Sequence, residues 1–579
     1  MLKFVLLVGT IFFAAEVTNP HQVDRSPARI QALIVELGND AFVVRERAEA
    51  QLLQIGLDAF PELRQAAKGD DVEIAQRSKR ILSQFELIYR GKESESVRVM
   101  VDQYTQTSNI ARKSQIVWFL TDMTEYPNGE GLRTLCRIAR FDPEYTLRAE
   151  AVKCLIAAPP PTVSKRNEWF QTLRSVFDDR DDDELLRLVR DYAGLSVELT
   201  ALREEAEKKA DTLEMETGTP VDYPVPFTAS PELRNRVMAF TDHLAAFQSK
   251  PENSSVQPGN RYDILLFHAL AELQDGAGLI AERDRTLEAA LAVRTQKMHS
   301  DNPFLLIDPL EATSFWDHLY VAARLMDGRW RFHWAERHLL LVIAEGSPVT
   351  KVRSYGLLWS IKRMCEQYQE AADYHRNCIE LLESPDFQAE QDDIELKLDI
   401  SFDDKLRECR ANLDFCQAKL EAEAGNWQKA KTAIDHAFQN NPTMDSDMVI
   451  LRYEISRHLD NLDENYRRET KNMIDGVLND MENKFHRRDT DMSVPLMCNN
   501  SAWLLANTDG DFPIALTLIR IAVKAEPESP MYLDTMAHVY ALGREYKKAV
   551  EIQKEAVRLA PEATALQLPL KRFRELAKD

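Results

Sequence analysis

Apolar residues recur every three or four positions along most of this chain, which is the spacing that places them on one face of an α-helix. In the second half the helical stretches come in pairs joined by short turns. The predicted pairs cover residues 262–293, 312–344, 352–383, 405–440, 446–485, 497–526 and 530–560. The pattern therefore predicts an all-α protein.

The last two pairs carry the same residue pattern twice, 34 positions apart. The pattern is Phe512, Ala515, Ala522 and Pro527 in the first of them, and Tyr546, Ala549, Ala556 and Pro561 in the second. An earlier pair has the same internal spacing at Trp427, Ala430, Ala437 and Pro442. A fixed period with small residues where two helices touch indicates a helical repeat, whose units bury their apolar faces on one another.

The first half predicts shorter helices in a tighter rhythm. Gly56 ends one helix and Pro61 starts the next, while acidic residues such as Asp40 and Asp70 precede new helices, where they match the positive end. Because helical periodicity continues beyond residue 85, residues 27–213 are predicted to form one α-solenoid. Its aspartate-valine-arginine turns resemble those of HEAT-like repeats.

Prolines, glycines and serines become frequent between residues 214 and 260. This composition is typical of a linker, here with one helical stretch around Leu233 to Phe247. We therefore expect the segment 214–260 to divide the chain in two. A C-terminal end helix is predicted within residues 563–579.

The second half, residues 261–562, resembles tetratricopeptide repeats. The family motif is met best by Leu533, Ala537, Tyr540, Tyr546, Ala549, Ala556 and Pro561. The resemblance implies an α-solenoid in which the first helix of each pair lines a concave surface that binds another protein.

By register in that family, the lining residues of the last two repeats are Met497, Asn500, Leu504, Asn507, Met531, Asp534 and His538. The resemblance thus implies a partner-binding site made of Asn500, Leu504, Asn507, Asp534 and His538. Its polar members suit an extended peptide or a helix, although they would equally serve as solvated or capping residues. Family members that grip chaperone C-terminal carboxylates use a basic clamp, and Asp534 stands where a donor is needed, so that ligand is disfavoured.

The chain begins with an apolar run from Phe4 to Ala15, preceded by Lys3. Such a run is too short to span about 30 Å of hydrocarbon but suits the core of a secretory signal. Residues 1–18 are therefore predicted to be a signal peptide or an N-terminal anchor. We expect an exported bacterial protein, periplasmic or secreted, with no other membrane segment.

The chain is acidic, with 94 acidic and 72 basic residues and a net charge of −22. A field of this sign repels phosphate backbones, so nucleic acid is not an expected partner. The seven cysteines form no C-x-x-C motif, which argues against zinc and thioredoxin-like sites. Cys409 and Cys416 lie about 10 Å apart on one helix face, too far to bond each other. Most of the cysteines are expected to be buried.

No motif of catalytic chemistry occurs in the sequence: G-x-S-x-G, P-loop and Rossmann glycine patterns are all missing. The best metal candidates, His333 and His338, are five positions apart, whereas a zinc protease needs histidines four apart. At five positions the two side chains diverge by about 140°. The sequence therefore predicts no enzyme, no cofactor and no metal site.

Together these observations predict a non-enzymatic scaffold that binds a peptide or helix of a protein partner in its concave groove. The alternative is a structural or assembly component of a cell-envelope complex. The sequence leaves open which protein binds and how many copies of the chain associate.

Overall fold

The computed structural model describes residues 24–84, 94–122, 131–157, 168–173, 183–217, 220–221, 224–250, 261–292, 315–389, 401–440, 445–459, 464–487 and 494–578. Every regular element within these ranges is a helix, which confirms the all-α prediction. None of these helices is long and apolar enough to cross a membrane. The predicted signal segment, residues 1–18, lies outside the described ranges.

The described part of the first half includes the helices α1 Pro27–Glu36, α2 Phe42–Ile55, α3 Phe60–Ala66, α4 Val72–Gln84, α5 Glu95–Gln106, α6 Ile110–Asp122, α7 Leu132–Phe141, α8 Tyr145–Ala157 and α9 Glu184–Thr217, together with a 3₁₀ turn Gly56–Ala59 and the helical residues 168–173. Helices end and start where the sequence predicts, as two examples show. Gly56 ends α2 with a φ of 74°, and the Asp71 carboxylate accepts a hydrogen bond from the Ile74 backbone N–H, 3.0 Å away, in the first turn of α4. The HEAT-like nature of these helices stays a prediction.

Helix α10, Pro231–Ser249, is the helix predicted within the segment 214–260. It buries one apolar face, formed by Leu233, Val237, Phe240, Leu244 and Phe247. These side chains share one core cluster with residues before and after the segment. The described part of 214–260 therefore packs as a component of the fold, and the domain boundaries at 213 and 260 stay predictions.

The second half continues with helices α11 Arg261–Gly276, α12 Ile280–Ala292, α13 Phe315–Gly328, α14 Phe332–Glu345, α15 Pro348–Met364, α16 Tyr368–Leu382, α17 Pro385–Ala389, α18 Phe402–Glu423, α19 Trp427–Asn440, α20 Ser446–His458, α21 Glu464–Arg487, α22 Val494–Ala506, α23 Phe512–Ala525, α24 Pro530–Leu542, α25 Tyr546–Leu559 and α26 Thr564–Leu576. Each predicted pair corresponds to two long helices in succession, and α26 lies in the predicted C-terminal segment. The helical repeat is confirmed.

The paired helices touch through the predicted small residues. Ala515 and Ala522 on α23, like Ala549 and Ala556 on α25, have no exposed surface. Neighbouring pairs also meet closely at Gly543, where a Cβ atom would lie 2.6 Å from the Phe512 ring. Close approach of helices is therefore built into each pair and between the last two.

In five of the pairs the two helices are joined by the same turn conformation, which the sequence does not predict. In each, the residue two positions before the second helix has a left-handed backbone, with φ between 57° and 75°: Gly278, Trp330, Glu366, Gly425 and Arg544. The N–H of the following residue bonds a carbonyl five positions back, as in Glu545 N to Tyr540 O at 2.9 Å. This is the Schellman arrangement, and its recurrence fixes the angle between the helices of each pair.

The end of the array returns to the first half. Arg558 on α25 pairs with Glu207 on α9 at 3.1 Å, and Arg574 on α26 pairs with Glu214 on α9 at 3.1 Å. Side chains of the last helices, including Val557 and Leu570, belong to the same core cluster as α5 to α15. The repeats therefore curve until the last pair packs on α9.

The buried alanines of α25 allow a test of how closely α25 packs against α24. Ala549→Trp places a large side chain where α25 meets α24, so we expect it to destabilise the fold by about 1–3 kcal/mol or more. Urea unfolding followed by circular dichroism measures the shift. Glu551→Trp, at an exposed position of the same helix, is the control and should leave the midpoint nearly unchanged. Equal unfolding midpoints for the two variants would contradict a close contact between the helices at Ala549.

Candidate partner-binding groove

A cavity of about 920 Å³ lies on the inner side of the array. We call it the groove. Its wall is formed mainly by first helices of the pairs and by α26, through Tyr368, Phe415, Asp447, Ile450, Met497, Asn500, Trp503, Asn507, Met531, Asp534, His538, Leu568 and Arg572 among others. The wall therefore combines aromatic and aliphatic surface with charged groups, as ligand-binding clefts do.

Four of the five predicted site residues lie together on this wall: Asn500, Asn507, Asp534 and His538. Leu504 does not. It is fully buried and packs with Val449 of α20 and Val477 of α21. At 100° per residue, Leu504 is turned about 40° from Asn500 around α22, and that edge of the helix faces the preceding pair. Its placement on the groove is therefore corrected to the core.

Asn507 and His538 hold each other in place. The Asn507 Oδ1 atom accepts a hydrogen bond from His538 Nδ1 at 2.9 Å, while its Nδ2 donates to the Trp503 carbonyl at 3.0 Å. The His538 ring also packs against Trp503 and Phe573, with centroids 4.8 and 5.2 Å apart. Burial lowers the pKa of His538 to about 3, and the nearby Arg572 acts in the same direction. The imidazole is therefore neutral at pH 7, and its proton lies on Nδ1.

The remaining ring nitrogen of His538, Nε2, is buried and has no hydrogen-bond partner among the described residues. With Nδ1 bonded to Asn507, His538 contributes a ring surface to the groove wall rather than a free donor or acceptor. The predicted role in hydrogen bonding a partner would therefore require the side chain to turn.

Asp534 is only 8% exposed, and Gln553 Nε2 donates a hydrogen bond to its Oδ1 at 2.6 Å. The same Nε2 also reaches the Leu566 carbonyl at 2.8 Å, which ties α24 and α25 to α26. Burial raises the pKa of Asp534 to about 7, in part opposed by the Gln553 hydrogen bond. The carboxyl is thus shared between its charged and neutral forms at physiological pH.

A polar link that the sequence did not indicate crosses the groove floor. Asp447 accepts a hydrogen bond from Trp503 Nε1 at 2.7 Å and forms an ion pair with Arg363 at 3.1 Å. The Arg363 guanidinium lies 4.8 Å from the centroid of the Trp359 ring. Three pairs are joined at this point, and no local motif connects residues so far apart along the chain.

The two histidines considered for metal binding have different partners. Within α14, His338 Nε2 lies 2.8 Å from His268 Nε2 in the core, whereas His333 pairs with Glu562 at 3.0 Å. Burial lowers the pKa of His338 to about 3 and also lowers that of His268, so both rings are neutral and one Nε2–H donates to the Nε2 of the other. In the described part of the chain, no group of three or more His, Cys, Asp or Glu side chains is placed to hold a metal ion.

Comparison with protein-family profiles and with curated protein sequences finds no match. Among solved structures, the TPR domain of P58(IPK) aligns at 10% sequence identity over 80% of this chain and 98% of that chain, with a TM-score of 0.19. Yeast Tom70 aligns at 12% identity over 83% of this chain and 96% of that chain, with a TM-score of 0.20. The period of 34 residues, the buried alanines within the pairs and the shared left-handed turn define the repeat. The fold is a tetratricopeptide-like helical repeat.

The raised pKa of Asp534 predicts an effect of pH on this tetratricopeptide-like array. The folded state keeps a proton up to about pH 7 that the unfolded chain releases near 3.8, so stability falls as pH rises through this window. Asp534→Asn retains the shape of the protonated carboxyl and does not titrate. Between about pH 4 and pH 8 we expect the variant to gain roughly 4 kcal/mol over the parent protein.

Thermal unfolding at a series of pH values measures this difference. Asp509→Asn removes an exposed carboxylate of the neighbouring repeat and serves as the matched control. If the curves for Asp534→Asn and the parent protein run parallel across the pH range, Asp534 does not carry the inferred proton.

Proposed function

We propose that this protein is a non-enzymatic scaffold that holds a peptide or helix of a protein partner in the groove. The observation that carries this proposal is the groove itself, a cleft of about 920 Å³ lined from several helix pairs. Exposed apolar side chains at its rim, Met531 at 39% and Leu568 at 48%, offer contact area for an apolar side chain of the partner.

The charges on the groove wall favour a basic segment. Six carboxylates face three cations: Glu366, Asp445, Asp447, Glu454, Asp480 and Asp534 against Arg363, Lys419 and Arg572. A partner segment with lysine or arginine next to apolar residues complements this wall, because opposite charges across an interface speed association and exclude acidic competitors. The chain-wide charge of −22 acts in the same direction.

A second candidate function is assembly with another subunit of an envelope complex. Large apolar side chains are exposed at the starts of α2 and α4, with Phe42 at 62%, Val43 at 67% and Val72 at 69%. An ion pair of 3.3 Å between Arg45 and Glu73 brings these two helix starts together. An apolar surface of this kind at one end of a solenoid favours contact with another protein.

Site-specific photo-crosslinking in cells tests the groove. We expect benzoylphenylalanine in place of Met531 to capture a protein partner, because that side chain lies on the groove wall. The same group in place of Ile521, which is 43% exposed on α23 and does not line the groove, is the control. In a binding assay with the identified partner, Met531→Lys should weaken the complex by about tenfold, since a cation replaces apolar contact and repels a basic segment.

Capture from Ile521 alone, or capture from neither position, would contradict groove binding. Capture from benzoylphenylalanine in place of Phe42 that persists in the Met531→Lys variant would support the assembly role instead. Export, predicted from residues 1–18, remains part of the proposal. Cell fractionation tests it, and a cytosolic location would overturn it.

A further inference from the structure

Two of the seven cysteines meet between neighbouring repeats. The Sγ atoms of Cys378, on α16, and Cys409, on α18, are 3.7 Å apart. Both cysteines are free thiols, and each side chain is about 1% exposed. The pair therefore bridges two helices that are separated by the whole connection between one helix pair and the next.

The separation of the two sulfurs is close to that of a bond. A disulfide has a sulfur–sulfur distance of about 2.05 Å, so less than about 2 Å of movement closes the gap. Side-chain rotation supplies such a movement without separating the helices. By contrast, Cys416 lies two turns further along α18, which is too far from Cys409 for a disulfide between the two.

The surroundings distinguish the two thiols. The hydrogen-bonded contact with Cys378 lowers the pKa of Cys409, and His375 and Lys405 act in the same direction against burial. The same contact and burial raise the pKa of Cys378. Cys409 is thus the cysteine of the pair that loses its proton more readily.

We propose that Cys378 and Cys409 are a redox modification site, at which a reversible disulfide joins α16 to α18. This inference is independent of the proposed function, because it rests on the cysteine pair and not on the groove.

Thiol–disulfide exchange with a small disulfide compound balances the reaction. The Cys409 thiolate attacks one sulfur of the donor, forms a mixed disulfide and releases the other half as a thiolate. The Cys378 thiol then loses its proton and attacks the Cys409 sulfur, which releases the second half. Two electrons pass from the cysteine pair to the donor, the Cys378 proton ends on one released thiol, and the other half, released as a thiolate, takes its proton from water.

The bond would fix part of the groove wall. Tyr368 at the start of α16 and Phe415 and Lys419 on α18 all line the groove. A covalent link between these helices restricts the unfolded chain and holds the two neighbouring pairs in register. Both cysteines lie in a small satellite cluster rather than in the main core. Local opening of such a cluster, which exposes the thiols to a small donor, needs less free energy than global unfolding.

Differential alkylation of the folded full chain tests the proposal. The protein is incubated with oxidised glutathione, which is then removed, and free thiols are blocked with N-ethylmaleimide during denaturation. After reduction, thiols that were oxidised receive an isotope-labelled maleimide. We expect the label on Cys378 and Cys409 together, a cross-linked peptide before reduction, and a loss of two hydrogens from the intact mass. The oxidised protein should melt a few degrees higher than the reduced one.

Cys409→Ser should abolish the cross-linked peptide, while Cys136→Ser, in the core of the first half, should leave it unchanged. Circular dichroism confirms that each variant is folded. The proposal is overturned if Cys378 and Cys409 are blocked as free thiols after oxidation, or if each carries only a glutathione adduct while no cross-linked peptide forms.

Discussion

Close contact between the two helices of each pair is the constraint on which the rest of this structure depends. Alanines without exposed surface, such as Ala522 and Ala556, allow the backbones to approach, and a larger side chain would separate them. The left-handed residue before the second helix then sets the angle of the pair. At Trp330, Glu366 and Arg544 this conformation is held without glycine, at a cost of about 1–2 kcal/mol each, which packing in the array must offset.

Pairs that are built alike and stacked alike must curve, and the curvature creates the groove. First helices form most of the groove wall, and second helices add Tyr368 of α16 and Val477 of α21. The last pair then reaches α9, where Glu207 is 8% exposed beside Arg558. Because a half-buried ion pair contributes little unless its surroundings are well packed, the apolar contacts of Val557 and Leu570 with the main core supply most of the closing interaction.

The sequence predicted what depends on local periodicity. The helix pairs were found because apolar spacing and the alanine seams repeat within a few turns of chain. The shared turn was missed, since only Gly278 and Gly425 carry the residue type that indicates a left-handed backbone. Leu504 was misplaced because the face that a helix turns inward depends on its neighbours, here Val449 and Val477. The link through Asp447 and the contact of α25 with α9 join residues far apart along the chain, so no local pattern indicates them.

A distance measurement between the first half and the last repeat tests the central claim most directly. Spin labels at Lys208 on α9 and Glu551 on α25, both exposed positions near the Glu207–Arg558 pair, report whether the array closes. Closure predicts one narrow peak at short distance in the full chain. A broad distribution centred at long distance would show an open solenoid and contradict the account.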